Sequence, residues 1–132
     1  MDKLTQEHFS QFVFNQTTPP KNITSVLGVP LPKDYLAFMQ KHNGGEGIAG
    51  NDAWLHLYPL EELEEATKDY DTQKILPNHC LIGTDGGGML LGVDELGNYF
   101  AIDCISINPS EKILIGNTFE QFIQELNNTL YG

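Results

Sequence analysis

Two groups of residues in this chain have the types and spacing that chemistry needs. The first is Ile82-Gly83-Thr84-Asp85-Gly86-Gly87-Gly88 running into Met89-Leu90-Leu91-Gly92-Val93-Asp94, a glycine-rich stretch of the kind that cradles a phosphate. Such a loop works by following a strand and opening a helix, so that free N–H groups and the helix dipole point at the anion. Here the glycines lead into a short apolar run bounded by turn residues, which reads as a second strand. Met89-Leu90 also stand where a Walker-type loop carries Lys followed by Ser or Thr. The expected structure is therefore a strand, a glycine turn needing positive φ, and a returning strand. The second group is Asp85, Asp94 and Asp103. These acids fall at predicted strand ends and could converge on one edge of a sheet, as the carboxylates of a small metal-dependent hydrolase do. An Asp at a turn more commonly accepts from backbone N–H groups just ahead of it.

Other reactive side chains lack companions. His79 and Cys80 are adjacent, but neighbours in a strand point to opposite faces and cannot act as base and thiolate. Cys104 has no His nearby, and Cys80 and Cys104 have no CxxC-type partner, so buried free thiols are expected. His8, His42, His56 and His79 are scattered without metal-ligand spacing, and there is no Gly-x-Ser-x-Gly elbow. No catalytic residue, metal ligand or cofactor is assigned, and the chain is read as a non-enzyme.

The elements that must position these residues follow from periodicity. Leu4, His8, Phe9, Phe12 and Val13 suggest an N-terminal amphipathic helix over about 4–14, ended by Thr17-Thr18-Pro19-Pro20. Thr24 or Ser25 is expected to cap a short helical turn before Gly28. A helix over about 32–42 carries Tyr35, Leu36, Phe38 and Met39 inward and stops at Asn43-Gly44-Gly45, where a left-handed residue can satisfy the last carbonyls. Residues 46–52 read as a Gly- and acid-rich connection. Trp54-Leu55-His56-Leu57-Tyr58 alternates like a strand, and Pro59 opens a helix over 60–68 with Leu60 and Leu63 inward. Its Glu61, Glu62, Glu64 and Glu65 lie near a helix start, where carboxylates are favourable. From residue 79 onward four strands with short turns argue for an antiparallel meander, followed by a helix capped at Asn117 or Thr118 with Phe119, Phe122, Ile123, Leu126 and Leu130 on one face. Helices, a meander and a closing helix make an α+β single domain, residues 1–132.

Composition narrows the partner. The chain has 132 residues, 18 Asp or Glu against 7 Lys, no Arg, and a net charge of −11, which argues against nucleic acid as a ligand. Residues 46–103 hold 12 acids and only Lys68 and Lys74, giving −10, while 6 acids and 5 Lys lie outside. That asymmetry is either a solvated surface that keeps the protein soluble or a field that steers a basic partner. No signal-like leader or membrane-spanning run is seen in the sequence, so a cytoplasmic protein without membrane contact is expected.

The run Val29-Pro30-Leu31-Pro32-Lys33-Asp34-Tyr35-Leu36-Ala37-Phe38-Met39-Gln40-Lys41-His42-Asn43-Gly44-Gly45 resembles the "LP-x-x-Y-x-x-F-x-x-x-x-NGG" stretch of the SUKH superfamily. Leu57-Tyr58-Pro59-Leu60-Glu61-Glu62-Leu63 is similar to its strand and "lEEl" helix, and Ile82 to Gly88 to its "ig-x-dggg" turn. Gly97-Asn98-Tyr99-Phe100 and Ile115 to Phe122 resemble its last hairpin strand and closing helix. The ordered set covers about residues 24–130. The resemblance implies a protein-binding domain, in bacteria typically an immunity protein that neutralises a toxin, often a nuclease. A regulatory scaffold of the same fold is the alternative it leaves. The lack of Arg and the Asn- and Ile-rich composition fit an AT-rich bacterial genome and favour immunity.

A nuclease inhibitor must cover a basic cleft, which gives the acidic segment a task. The expected partner-binding residues are Glu46, Asp52, Trp54, Tyr58, Glu61, Glu62, Glu65, Asp85 and Asp94. Trp54 and Tyr58 are the candidate anchors, because aromatic residues dominate interface energetics, although a lone Trp on a strand more often packs into the core. The expected partner is a cognate protein toxin with a basic surface, and the expected state is a monomer or weak homodimer.

Overall fold

A seven-stranded antiparallel sheet organises the chain. The computed structural model describes residues 8–16, 18, 22–50, 53–70, 72–105 and 107–131. Its strands are β1 (Gln11–Phe14), β4 (Gly45–Ala49), β5 (Ala53–Leu57), β6 (His79–Thr84), β7 (Met89–Asp94), β8 (Tyr99–Asp103) and β9 (Ile113–Gly116), and they lie side by side in that order. Between β1 and β4 the chain makes a two-stranded ribbon, β2 (Ser25–Val26) and β3 (Val29–Pro30), and then helix α1 (Lys33–His42). Between β5 and β6 it makes a 3₁₀ turn (Leu60–Glu62), α2 (Leu63–Asp69) and α3 (Thr72–Ile75), and after β9 it closes with α4 (Phe119–Tyr131). The α+β reading and the meander from β6 to β9 hold.

The N-terminal helix expected over 4–14 is corrected at its second half, since Gln11–Phe14 is the edge strand β1, paired to Gly45–Ile48. Residues 4–7 lie outside the described residues. Alternation decided the matter: Phe12 is buried, Val13 is 71% exposed, and Phe14 turns back toward the core. The Gly- and acid-rich connection is likewise a strand, β4. Cβ atoms on Gly45 and Gly47 would fall 2.3 and 2.6 Å from the Val13 and Gln11 carbonyl oxygens, so glycine is what lets β1 approach. The short helical turn expected before Gly28 is the β2–β3 ribbon, whose turn places Leu27 and Gly28 at φ +51 and +84.

One face of the sheet carries the main core. Tyr35, Phe38 and Met39 of α1 and Phe119, Phe122, Ile123 and Leu126 of α4 pack against Leu55, Leu57, Ile82, Leu91, Val93 and Tyr99. Asp34 fastens the two helices together. Its carboxylate accepts from the Phe119 N–H (2.7 Å) at the start of α4 and from the Tyr99 hydroxyl (3.3 Å). The other face is covered only in part: Leu76, just after α3, and Ile107 pack over Leu81, Leu90, Phe100 and Ile102 of β6 to β8. Helix α2 runs beside the part of β6 that β5 does not pair with, since that pairing is confined to His56–Thr84 and Leu57–Gly83. There Thr67 Oγ1 accepts from the Leu81 N–H (3.1 Å), standing in for a strand neighbour.

Candidate functional site

The glycine-rich run is a β6–β7 hairpin turn, with Gly86 and Gly88 at φ +76 and +101 and no helix following. Asp85 is buried and closes that turn, its carboxylate accepting from the Gly87 and Met89 N–H groups at 2.8 and 3.0 Å. Asp94 does the same for the β7–β8 turn, accepting from the Leu96 and Asn98 N–H groups (both 2.9 Å) and the Asn98 amide (3.1 Å). Burial pushes the Asp94 carboxyl up, but these bonds from Asn98 and Leu96, with the nearby Lys112 charge, outweigh it and hold the group below its ordinary value. Asp103 accepts from the Ile105 N–H (2.8 Å).

The three aspartates do not converge. Asp85 and Asp103 flank the Met89 end of β7, and Asp94 terminates the other end, five residue steps or about 17 Å away along a strand. Successive hairpin turns of a meander fall on opposite ends of the sheet, so Asp94 is separated from the others by the topology itself. Among the described residues no group of three or more His, Cys, Asp or Glu is arranged to hold a metal ion. Cys80 is fully buried and its thiol is pushed up to about 11, chiefly by burial, with the Thr67 hydrogen bond opposing. Cys104, expected to be buried, follows β8 and is only partly buried. His79 is occupied elsewhere, its Nδ1 at 2.9 Å from the Pro77 carbonyl and its Nε2 at 2.9 Å from Lys112 Nζ.

What the fold does assemble is a surface. The face of β1, β4 and β5 turned away from α1 and α4 carries Val13, Glu46, Ile48, Trp54 and His56, with Glu46 opposite His56 and Ile48 opposite Trp54. Trp54 is 45% exposed, so it sits outside the core. Its indole lies over Gly86, where an added Cβ would fall 2.5 Å from the ring. Tyr58 continues this row, its ring edge-on to His56 at 5.2 Å.

Beyond Tyr58 the sheet meets α2, and the junction is a cleft of about 320 Å³ lined by Tyr58, Glu62, Glu65, Ala66, Asp69 and Tyr70. Residues 62, 65, 66 and 69 recur at helical spacing and share one stripe. Glu61, Glu64 and Lys68 form the next stripe, where Lys68 pairs with Glu64 at 3.8 Å. A second hollow of about 210 Å³, lined by Tyr70, Thr84, Gly86, Gly88, Met89, Leu90 and Cys104, adjoins the first across Tyr70. The Tyr58 hydroxyl is pushed up to about 12 by burial, then by Tyr70 and Glu62, so it stays protonated.

Of the nine residues singled out in the sequence, Glu46, Trp54, Tyr58, Glu62 and Glu65 come together on this surface. Glu61 faces another groove, with Ile23, Leu27 and Glu64, and accepts from the Asn43 amide at 2.9 Å. Asp85 and Asp94 are committed to their turns, and Asp52 lies outside the described residues. Sequence reasoning missed Asp69 and Tyr70. The signal was available, since 62, 65 and 69 are one helical stripe leading away from Tyr58. Among the described residues no helix is long and apolar enough to cross a membrane.

A family model described as SMI1 / KNR4 family (SUKH-1) matches residues 21–125. A comparison with curated proteins finds no match. The matched span contains β2 through most of α4, including both walls of the cleft, and begins after β1.

Proposed function

Since the chain belongs to the SMI1 / KNR4 family (SUKH-1), we propose that it is an immunity protein that neutralises a cognate bacterial toxin by binding it. The toxin is a nuclease, and the acidic face of this chain covers its basic substrate-binding surface. In this reading the protein acts in the cytoplasm as a single domain, a monomer or weak homodimer, without catalysis or cofactor.

The observation that carries the reading is the meeting of two features on one face. That sheet surface presents the half-exposed ring of Trp54 and the partly buried ring of Tyr58, and the 3₁₀ turn and helix beside it present Glu62, Glu65 and Asp69. Carboxylates accelerate encounter with a basic partner and occupy the places of its substrate's phosphates, while desolvated aromatic anchors supply the holding energy. Glu46, Trp54, Tyr58, Glu62 and Glu65 are therefore the proposed contacts. Asp85 and Asp94 are left out because their carboxylates already close turns, and Glu61 because it faces the ribbon groove.

Co-expression tests the proposal: cells carrying the toxin gene that neighbours this one should survive with this chain and die without it. Equal killing in both strains rejects immunity. Charge reversal at Glu62 and Glu65 should slow association about tenfold at low salt and much less at high salt. Unchanged rates would remove the electrostatic part alone.

A further inference from the structure

We propose that the cleft between Tyr58 and Tyr70 is a socket for one arginine side chain projecting from the protein partner. The partner is taken from the immunity reading, whereas the chemistry of the socket rests on the cleft. It opens at the margin of a sheet face that no described residue covers: the small core cluster of Leu76 protects the back of β6 to β8, but among the described residues β1, β4 and β5 leave Val13 and Trp54 exposed there.

Charge selects the occupant. Three carboxylates, Glu62, Glu65 and Asp69, line the cleft and no lysine does. The cation of this helix, Lys68, lies on the neighbouring stripe against Glu64. Bringing a neutral or anionic group there would desolvate carboxylates without return, so a cation is the complementary ligand. The carboxylates are not gathered tightly enough for a metal ion among the described residues, which leaves an extended organic cation. Between the two that proteins carry, the lining favours arginine. A planar guanidinium can lie against a tyrosine ring and at the same time donate paired hydrogen bonds to a carboxylate, whereas an ammonium is a compact, strongly hydrated point charge. Ala66, the smallest residue on the stripe, leaves the space between the rings and the acids open, and about 320 Å³ accommodates a guanidinium with part of its stem.

The test is a titration of the isotopically labelled full chain with N-acetyl-arginine amide and, separately, N-acetyl-lysine amide, followed by backbone amide shifts. Saturable shifts centred on Tyr58, Glu65, Ala66 and Tyr70 are expected with the arginine probe, about tenfold weaker binding with the lysine probe, and loss of the response in Tyr70→Ala and in the isosteric Glu65→Gln. Equal response to both probes, or a response that survives both substitutions, overturns the proposal. With the neighbouring toxin, the same two variants should bind at least about tenfold more weakly than the native chain. Native-like toxin affinity in both variants overturns the socket and leaves immunity standing. A toxin that the native chain does not bind defeats the immunity reading, and the arginine titration then decides the socket independently.

Discussion

Replacing Asn43 should show how much of the fold depends on a single side chain at the end of α1. Asn43 is fully buried and left-handed, at φ +52 and ψ +37. Its Oδ1 accepts from the Leu60 N–H at 2.8 Å, its Nδ2 donates to Glu61 at 2.9 Å, and its carbonyl accepts from the Asn15 amide at 2.8 Å. It is thus at once the stop of α1 and the clamp that starts the 3₁₀ turn leading to α2. In Asn43→Ala the Leu60 N–H, which the fold buries, loses its acceptor, a cost of about 1–3 kcal/mol. Holding alanine in the left-handed region adds about 1 kcal/mol. The sum is about 2–4 kcal/mol, and at about 0.28 kcal/mol per degree for 132 residues the midpoint should fall by about 7–14 °C. Asn43→Gly removes the strain but not the lost bond, so it should be about 1 kcal/mol milder than alanine.

Urea unfolding followed by far-ultraviolet dichroism and by the fluorescence of Trp54, the sole tryptophan, gives both midpoint and slope and separates lost stability from a changed denatured state. Asn43→Asp sharpens the test. It retains an acceptor for Leu60 but sets a carboxylate against Glu61, so its deficit should shrink when Glu61→Gln is added. If Asn43→Ala and Asn43→Gly are equal and both cost less than about 0.5 kcal/mol, the clamp does not exist and the argument for how α2 is placed fails.

Three further outcomes are expected. Iodoacetamide should label one thiol, Cys104, in the native protein and two in urea, because Cys80 is buried and its thiol is pushed up to about 11; native labelling of Cys80 would contradict that packing. Gly45→Ala should cost about 2–4 kcal/mol and expose residues 11–16 to limited proteolysis, since the new methyl would overlap the Val13 carbonyl. Asp94→Asn should be less stable than the native chain at neutral pH. The native carboxyl is held below its ordinary 3.8, so its contribution is complete above that value and is lost as pH falls through the lower folded value; the two stability curves should converge in strong acid.

Where the chain repeats a period, its elements were legible. Tyr35, Phe38 and Met39 mark the buried stripe of α1, and Phe119, Phe122, Ile123 and Leu126 that of α4, with Thr118 Oγ1 accepting from the Gln121 N–H at 3.1 Å. The failures share a cause. Gly45 and Gly47 have no side chain with which to announce a strand, and β4 owes its place to pairing on both sides, with β5 and with β1, the latter some thirty-five residues earlier. Phe9, Phe12 and Val13 fit helical spacing as well as they fit a strand after a turn, and only pairing resolves a strand as short as Gln11–Phe14. The site was half legible for a similar reason. Charge and aromatic content can be counted along the sequence. Whether Asp85 faces solvent or folds onto its own turn depends on the two N–H groups that the glycines bring to it.

The acidic face also bears on why an open aromatic surface need not lead to self-association. A sheet face that exposes Trp54 and Val13 invites a second copy. Two copies meeting through this face would gather Glu46, Glu62, Glu65 and Asp69 of both into one interface, and like charges juxtaposed there cost several kcal/mol. On the proposed reading, the charge that steers a basic partner also opposes tight pairing of two copies through this face. Because charge of this sort acts over about 8 Å at physiological salt, it governs which surface arrives and in what orientation, and cannot by itself hold what has arrived. On the same reading, retention is assigned to the groups that lose water on contact, the rings of Trp54, Tyr58 and Tyr70. Placing those rings and the carboxylates on adjoining elements, a strand and the helix that follows it, makes steering and holding properties of one surface.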